Sequence, residues 1–126
     1  MVYEITADNA NEMVRVCFSG TKTVDQIYKA RNEVASELTR LGYRRVLVDS
    51  SRVKAKQNLS VQTLYELGST KSKALPPRTR MALIFSPEND AVRDLEFVET
   101  VAQNRGARFK LFQDADDALN WLKSEK

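Results

Sequence analysis

The residues best placed to do chemistry lie between positions 49 and 60. Asp49-Ser50-Ser51-Arg52 is followed by Lys54, Lys56 and Ser60, so hydroxyls and cations alternate over a short stretch. Cations beside a helix amino terminus receive a phosphate, a carboxylate or an anionic lipid head group. Ser50, Ser51, Arg52, Lys54, Lys56 and Ser60 are therefore the candidate residues for holding a partner or a small anion. Charge is concentrated in the same region. Residues 40–80 carry ten Lys or Arg against Asp49 and Glu66, while the flanks are acidic and the whole chain is only +3.

What is missing narrows the chemistry further. The 126 residues contain no histidine and one cysteine, Cys17. The commonest general base and metal ligand are thus absent, and neither a Ser-His-Asp triad nor a zinc cluster of soft ligands can be assembled. Cys17 lies in the apolar run Met13 to Phe18, where a thiol reads as a small buried hydrophobe. The four glycines, Gly20, Gly42, Gly68 and Gly106, form no phosphate-binding loop. Asp49, Ser86 and Lys110 suggest a phosphoacceptor receiver, but no second acidic pair follows the first strand to hold magnesium. Asp49 reads instead as a polar strand end. Glu96 to Glu99 and Asp116-Asp117 are spaced as solvated helix faces. The expectation is a non-enzymatic chain with no cofactor and no metal.

Two short β-type runs, residues 2–7 and 13–18, flank the polar turn Asp8 to Glu12 and predict an opening hairpin. Thr23 and Gln26 form a capping-box pair at the start of a helix. Its stripe is Ile27, Ala30 or Arg31, Val34, Leu38 and Leu41, and Gly42 stops it. Tyr43 to Asp49, with Val46-Leu47-Val48 at its centre, has the continuous apolarity of a strand buried on both faces. Asn58 or Ser60 caps a second helix carrying Val61, Leu64, Tyr65 and Leu67, and Pro76-Pro77 closes that region. A strand over 79–85 leads to a helix bearing Val92, Leu95, Val98 and Ala102, ended by Gly106. Residues 108–112 form the last strand, and Asp114 caps a final helix with Ala115, Ala118, Leu119 and Leu122 inward. The order β-β-α-β-α-β-α-β-α predicts an α/β domain over 1–126, with about five strands in a mainly parallel mixed sheet and four helices. Binding sites in such sheets collect beyond the carboxyl ends of the strands.

This succession resembles the STAS superfamily, the fold of anti-sigma-factor antagonists and sulfate-transporter tails, and especially its small stand-alone SpoIIAA-like proteins. The pieces that carry the resemblance are Phe18-Ser19-Gly20-Thr21-Lys22-Thr23-Val24-Asp25, Val46-Leu47-Val48-Asp49, and Phe112 followed by Ala118-Leu119-Asn120-Trp121-Leu122. The resemblance implies partner docking switched by phosphorylation of a serine in an Asp-Ser-x-Gly segment at the start of the second helix. Here that region reads Lys56-Gln57-Asn58-Leu59-Ser60-Val61-Gln62, with neither the Asp-Ser pair nor the glycine. Ser60 is the positional candidate for a phosphoacceptor, set against the plain reading of it as an N-cap.

The reading is a protein-interaction module that docks a partner through the loop and second helix of residues 49–75. The alternative is a small-molecule or lipid-binding domain using the same edge, since SpoIIAA-like proteins resemble the CRAL-TRIO lipid-transfer fold in outline. Leu59, Val61, Leu64 and Leu67 would then line an apolar pocket instead of packing the core. Lys71, Lys73, Arg78 and Arg80 lack the interleaved aromatics of a nucleic-acid surface, so no nucleic-acid partner is expected. With no signal-type segment and no apolar run of membrane-spanning length, a cytoplasmic location without stable membrane insertion is expected. Self-association is compatible with either function, and no interface pattern is written in the residues.

Overall fold

The computed structural model describes residues 3–20, 23–53, 75–86 and 92–124, together with Gln62, Tyr65 and Glu66. Strands β1 (Tyr3–Asp8) and β2 (Met13–Gly20) precede helix α1 (Val24–Leu41) and strand β3 (Arg45–Val53). Strand β4 (Arg80–Ile84), helix α2 (Val92–Asn104), strand β5 (Arg108–Phe112) and helix α3 (Ala115–Lys123) complete the order. The sheet is mixed, with strands in the order β1-β2-β3-β4-β5. β1 pairs antiparallel with β2, and the three remaining pairs are parallel. The expected second helix, with its caps at Asn58 or Ser60, lies outside the described residues except that Gln62, Tyr65 and Glu66 are helical.

Side-chain alternation divides the sheet into two faces. Val14, Val16, Phe18, Val46, Val48, Met81, Leu83 and Phe109 point to the side covered by α1 and α2, against Ala30, Val34, Leu38, Val98 and Ala102. Met13, Leu47, Ala82 and Ile84 point to the other side, against Ala118 and Leu122 of α3. β3 and β4 are therefore covered on both faces, which is why their centres are uniformly apolar. α3 covers β3, β4 and β5, so on this second face Arg15 and Cys17 of β2 are only half-buried. Cys17 is thus no core residue, because its neighbours Val16 and Phe18 take the inward positions. Ala115 is also exposed, against expectation; it opens α3 ahead of the turn whose Ala118 and Leu122 make the contact.

Local chemistry fixes the helix ends. The backbone N–H of Gln26 donates to Thr23 Oγ1 at 3.3 Å and the Thr23 N–H donates to Gln26 Oε1 at 3.0 Å, a reciprocal capping box. Gly42 ends α1 at φ 76°, a left-handed conformation that a side chain disfavours, and its N–H donates to the Leu38 carbonyl. Asp114 caps α3 through the N–H of Asp116. Glu99, expected on a solvated face, accepts from the N–H of Leu111 at 2.9 Å and satisfies a donor on the edge strand β5.

Candidate functional site

The candidate edge is built on an irregularity that hydrophobic periodicity did not reveal. β3 does not end at Asp49; it runs on through Ser50, Ser51 and Arg52 to Val53. Cys17 pairs with Asp49, but Ser19 pairs with Arg52 and Gly20 with Val53, so two residues of β3, Ser50 and Ser51, face the single residue Phe18. That extra residue is a β-bulge, and it shifts the side-chain alternation by one. Ser50 and Val53, three positions apart, consequently both point into the core, at 0% and 2% exposure. Ser51 is half-buried and Arg52 is exposed. Asp49, read as a strand end, instead holds the bulge: its Oδ1 accepts from the Ser51 N–H at 2.9 Å and from the Ser51 hydroxyl at 2.6 Å.

The predicted site residues therefore have different roles. Ser50 is a core hydroxyl, closed to a kinase or a ligand. The Ser51 hydroxyl donates to the Asp49 carboxylate. Arg52 stands at the surface of the carboxyl edge, opposite Ser19, between the core-anchored Ser50 and Val53. Lys54, Lys56, Ser60 and the lining set Leu59, Val61, Leu64 and Leu67 lie outside the described residues. Around Arg52 the same edge gathers the α1 amino terminus with its exposed Thr23, the half-buried Ser86 after β4, and the exposed Gln113 and Asp114 before α3.

Among the described residues, Tyr65 meets Arg105 of the turn after α2. Tyr65 is exposed, and the Arg105 guanidinium stacks over its ring at 5.5 Å and donates to its hydroxyl. On α1, Arg31 is 5% exposed, its guanidinium 5.3 Å from the centre of the Tyr28 ring. Burial pushes the Arg31 pKa down from its ordinary value, opposed by the nearby Tyr28. The sequence left Ala30 and Arg31 as alternatives for the inward position; both are inward, because α1 packs on a sheet wide enough to cover adjacent positions. Arg31 borders a cavity of about 50 Å³ with Val16, Phe18, Val46, Val48 and Leu83 among its walls. That is room for a water molecule or two, far from the roughly 300 Å³ of a small-molecule pocket. Among the described residues, no helix is long and apolar enough to cross a membrane.

No family model matches the chain, and no curated protein matches it. Solved structures do. An anti-sigma factor antagonist from Mycobacterium paratuberculosis superposes with a TM-score of 0.64 at 14% identity, covering 97% of this chain and 95% of that one. An uncharacterised protein of the DUF3478 family with a SpoIIAA-like fold, from Shewanella loihica, gives a TM-score of 0.57 at 20% identity, with 95% and 93% covered. At these identities the likeness is one of fold. The architecture is SpoIIAA-like, as the resemblance in the sequence implied.

Proposed function

We propose that this chain is a non-enzymatic regulatory interaction module that docks a protein partner through residues 49–75. The observation that carries the reading is the β3 bulge. Ser50 and Val53 anchor the strand in the core while Arg52, between them and outward-facing, projects from the carboxyl edge. An exposed cation held on a rigid strand end costs little to order on binding, so it serves a docking surface better than the same residue on a free loop. The sequence that follows adds two further cations, Lys54 and Lys56, which a partner with an acidic face would complement. Anti-sigma factor antagonism in the Mycobacterium protein of the same fold supports the class of function. In this reading Ser60 belongs to the docking stretch, and a phosphate on it would carry charge opposite in sign to the nearby cations of the sequence, Lys54 and Lys56.

The test is site-specific photo-crosslinking in source cells, with the reactive residue at position 52 or at position 108 on the far edge. Capture of one defined protein from position 52 and not from position 108 is expected. Equal capture from both positions, or capture from 108 alone, would refute the assignment of the edge. Ser60→Asp is expected to weaken that complex if Ser60 is a switch, and to leave it unchanged if Ser60 is only a cap.

A further inference from the structure

The amino-terminal edge of the sheet, opposite the docking edge, carries a feature that only the strand register reveals. Arg45, Arg80 and Arg108 are consecutive register partners across β3, β4 and β5, so three guanidinium side chains leave one face of the sheet in a single row. Like charges side by side on neighbouring strands are destabilising. Part of this row is compensated by α3: Arg45 donates to the Leu122 and Asn11 carbonyls, and Arg80 to the Trp121 carbonyl and the Ser124 hydroxyl. The Arg108 side chain is exposed and makes no hydrogen bond or ion pair among the described residues. Arg44 and Arg78 join from the flanking loops, and the five arginines line a cleft of about 380 Å³ whose lining includes one acid, Glu12.

Charge counting decides whether the edge is already neutral. Among the described residues three helices end here, each contributing about −0.5, and Glu12 contributes −1, so the five guanidiniums lining the cleft leave roughly +2.5 uncompensated by these groups. Arg78 adds an independent sign of purpose. It occupies the third position of the turn Pro76-Pro77-Arg78-Thr79, closed by the Thr79 N–H to the Pro76 carbonyl, with φ 67°. Glycine or asparagine is the inexpensive choice at that left-handed position. Arginine there keeps the strain and places a guanidinium between the basic cleft and an adjoining cleft of about 270 Å³ walled by Leu75, Pro76, Pro77, Met81 and Phe109. All five cations are arginines, whose planar forks bind oxyanions in pairs, a preference a merely solubilising surface does not need.

We infer that this arginine cleft binds a small molecule bearing a diphosphate or longer phosphate chain. The phosphates sit among Arg44, Arg78 and Arg108, and the adjoining cleft, of mixed polar and apolar lining, is available to an organic body attached to them.

Isothermal titration of the full chain with pyrophosphate and with adenosine diphosphate, at constant ionic strength, tests this. Saturable binding is expected with both Arg78→Gln and Arg108→Gln weakening it at least about tenfold, since each removes a charged hydrogen-bond donor. Arg93→Gln, on the exposed start of α2, leaves it unchanged. Both variants lie on exposed positions, and circular dichroism with thermal melting establishes that they fold. Tighter binding of adenosine diphosphate than of pyrophosphate identifies an organic polyphosphate; equal binding identifies the inorganic chain. Heat that tracks ionic strength without saturating, or affinity in both arginine variants equal to that of the unaltered chain, overturns the proposal.

Discussion

Val53→Ala and Arg52→Ala, adjacent substitutions, test whether the bulge in β3 exists. If the strand ended at Asp49, both positions would belong to a surface segment and each substitution would cost no more than about 0.5 kcal/mol. With the bulge, Val53 is 2% exposed and packs in the main core cluster, whereas Arg52 is exposed. Shortening valine to alanine removes two buried methylene equivalents, about 1.6 kcal/mol of transfer free energy, and the residual cavity brings the cost to about 2 kcal/mol. Arg52→Ala stays within about 0.5 kcal/mol. Urea unfolding followed by circular dichroism reads the difference directly. With a slope of about 2 kcal/mol per molar for a domain of this size, Val53→Ala lowers the midpoint by about 1 M and Arg52→Ala by a quarter of that or less. Equal midpoints for the two variants would refute the register shift and, with it, the outward placement of Arg52.

Three further outcomes follow from the same structure. Thr23→Ala breaks the capping box of α1 and is expected to cost about 1 kcal/mol in urea unfolding, with Thr23→Ser restoring most of it. Asp8 accepts from the side chain and backbone of Asn11 and from Arg15, and these contacts lower its pKa below the ordinary 3.8. Its carboxylate therefore stabilises the fold at neutral pH and ceases to do so as the pH falls below about 4 through the folded value; carbon-13 titration should give a midpoint below 3.8 that Asn11→Ala moves upward. Arg80, buried at 6% exposure, bonds the last turn of α3 and stacks 5.1 Å from the Trp121 ring centre. Arg80→Leu removes the charged donor from both acceptors, the Trp121 carbonyl keeping only Ser124, and should cost about 2 kcal/mol, read as a lowered urea midpoint.

The elements whose identity depends on near neighbours were legible in the residues. The Thr23 and Gln26 pair, the Gly42 stop and the Asp114 cap all act within a few positions along the chain, and the structure places each as read. The apolar centres of β3 and β4 declared their burial for the same reason. What was not legible depends on pairing between strands. Nothing in Asp49-Ser50-Ser51-Arg52-Val53 says that two serines will oppose Phe18, since a polar run next to an apolar one reads as a loop. The row of Arg45, Arg80 and Arg108 is equally hidden, because residues 35 and 28 positions apart become neighbours only through parallel register. Arg45, Arg80 and Arg108 each begin a strand, with Arg44 and Arg78 just before two of them, and a comparison of strand starts would have found them. Of the predicted docking residues, Ser50 takes a core position because β3 continues past Asp49 on the alternation of Val46 and Val48, while Arg52 has a firmer position than a loop would give it.

Hydrogen exchange on the complex with the crosslinked partner tests the central claim most directly. Slowed exchange concentrated in peptides spanning residues 49–75, with the amino-terminal edge around Arg44, Arg78 and Arg108 unchanged, is the predicted result. Protection centred on that arginine edge or on α3, with residues 49–75 exchanging as in the free protein, would contradict docking through the end of β3.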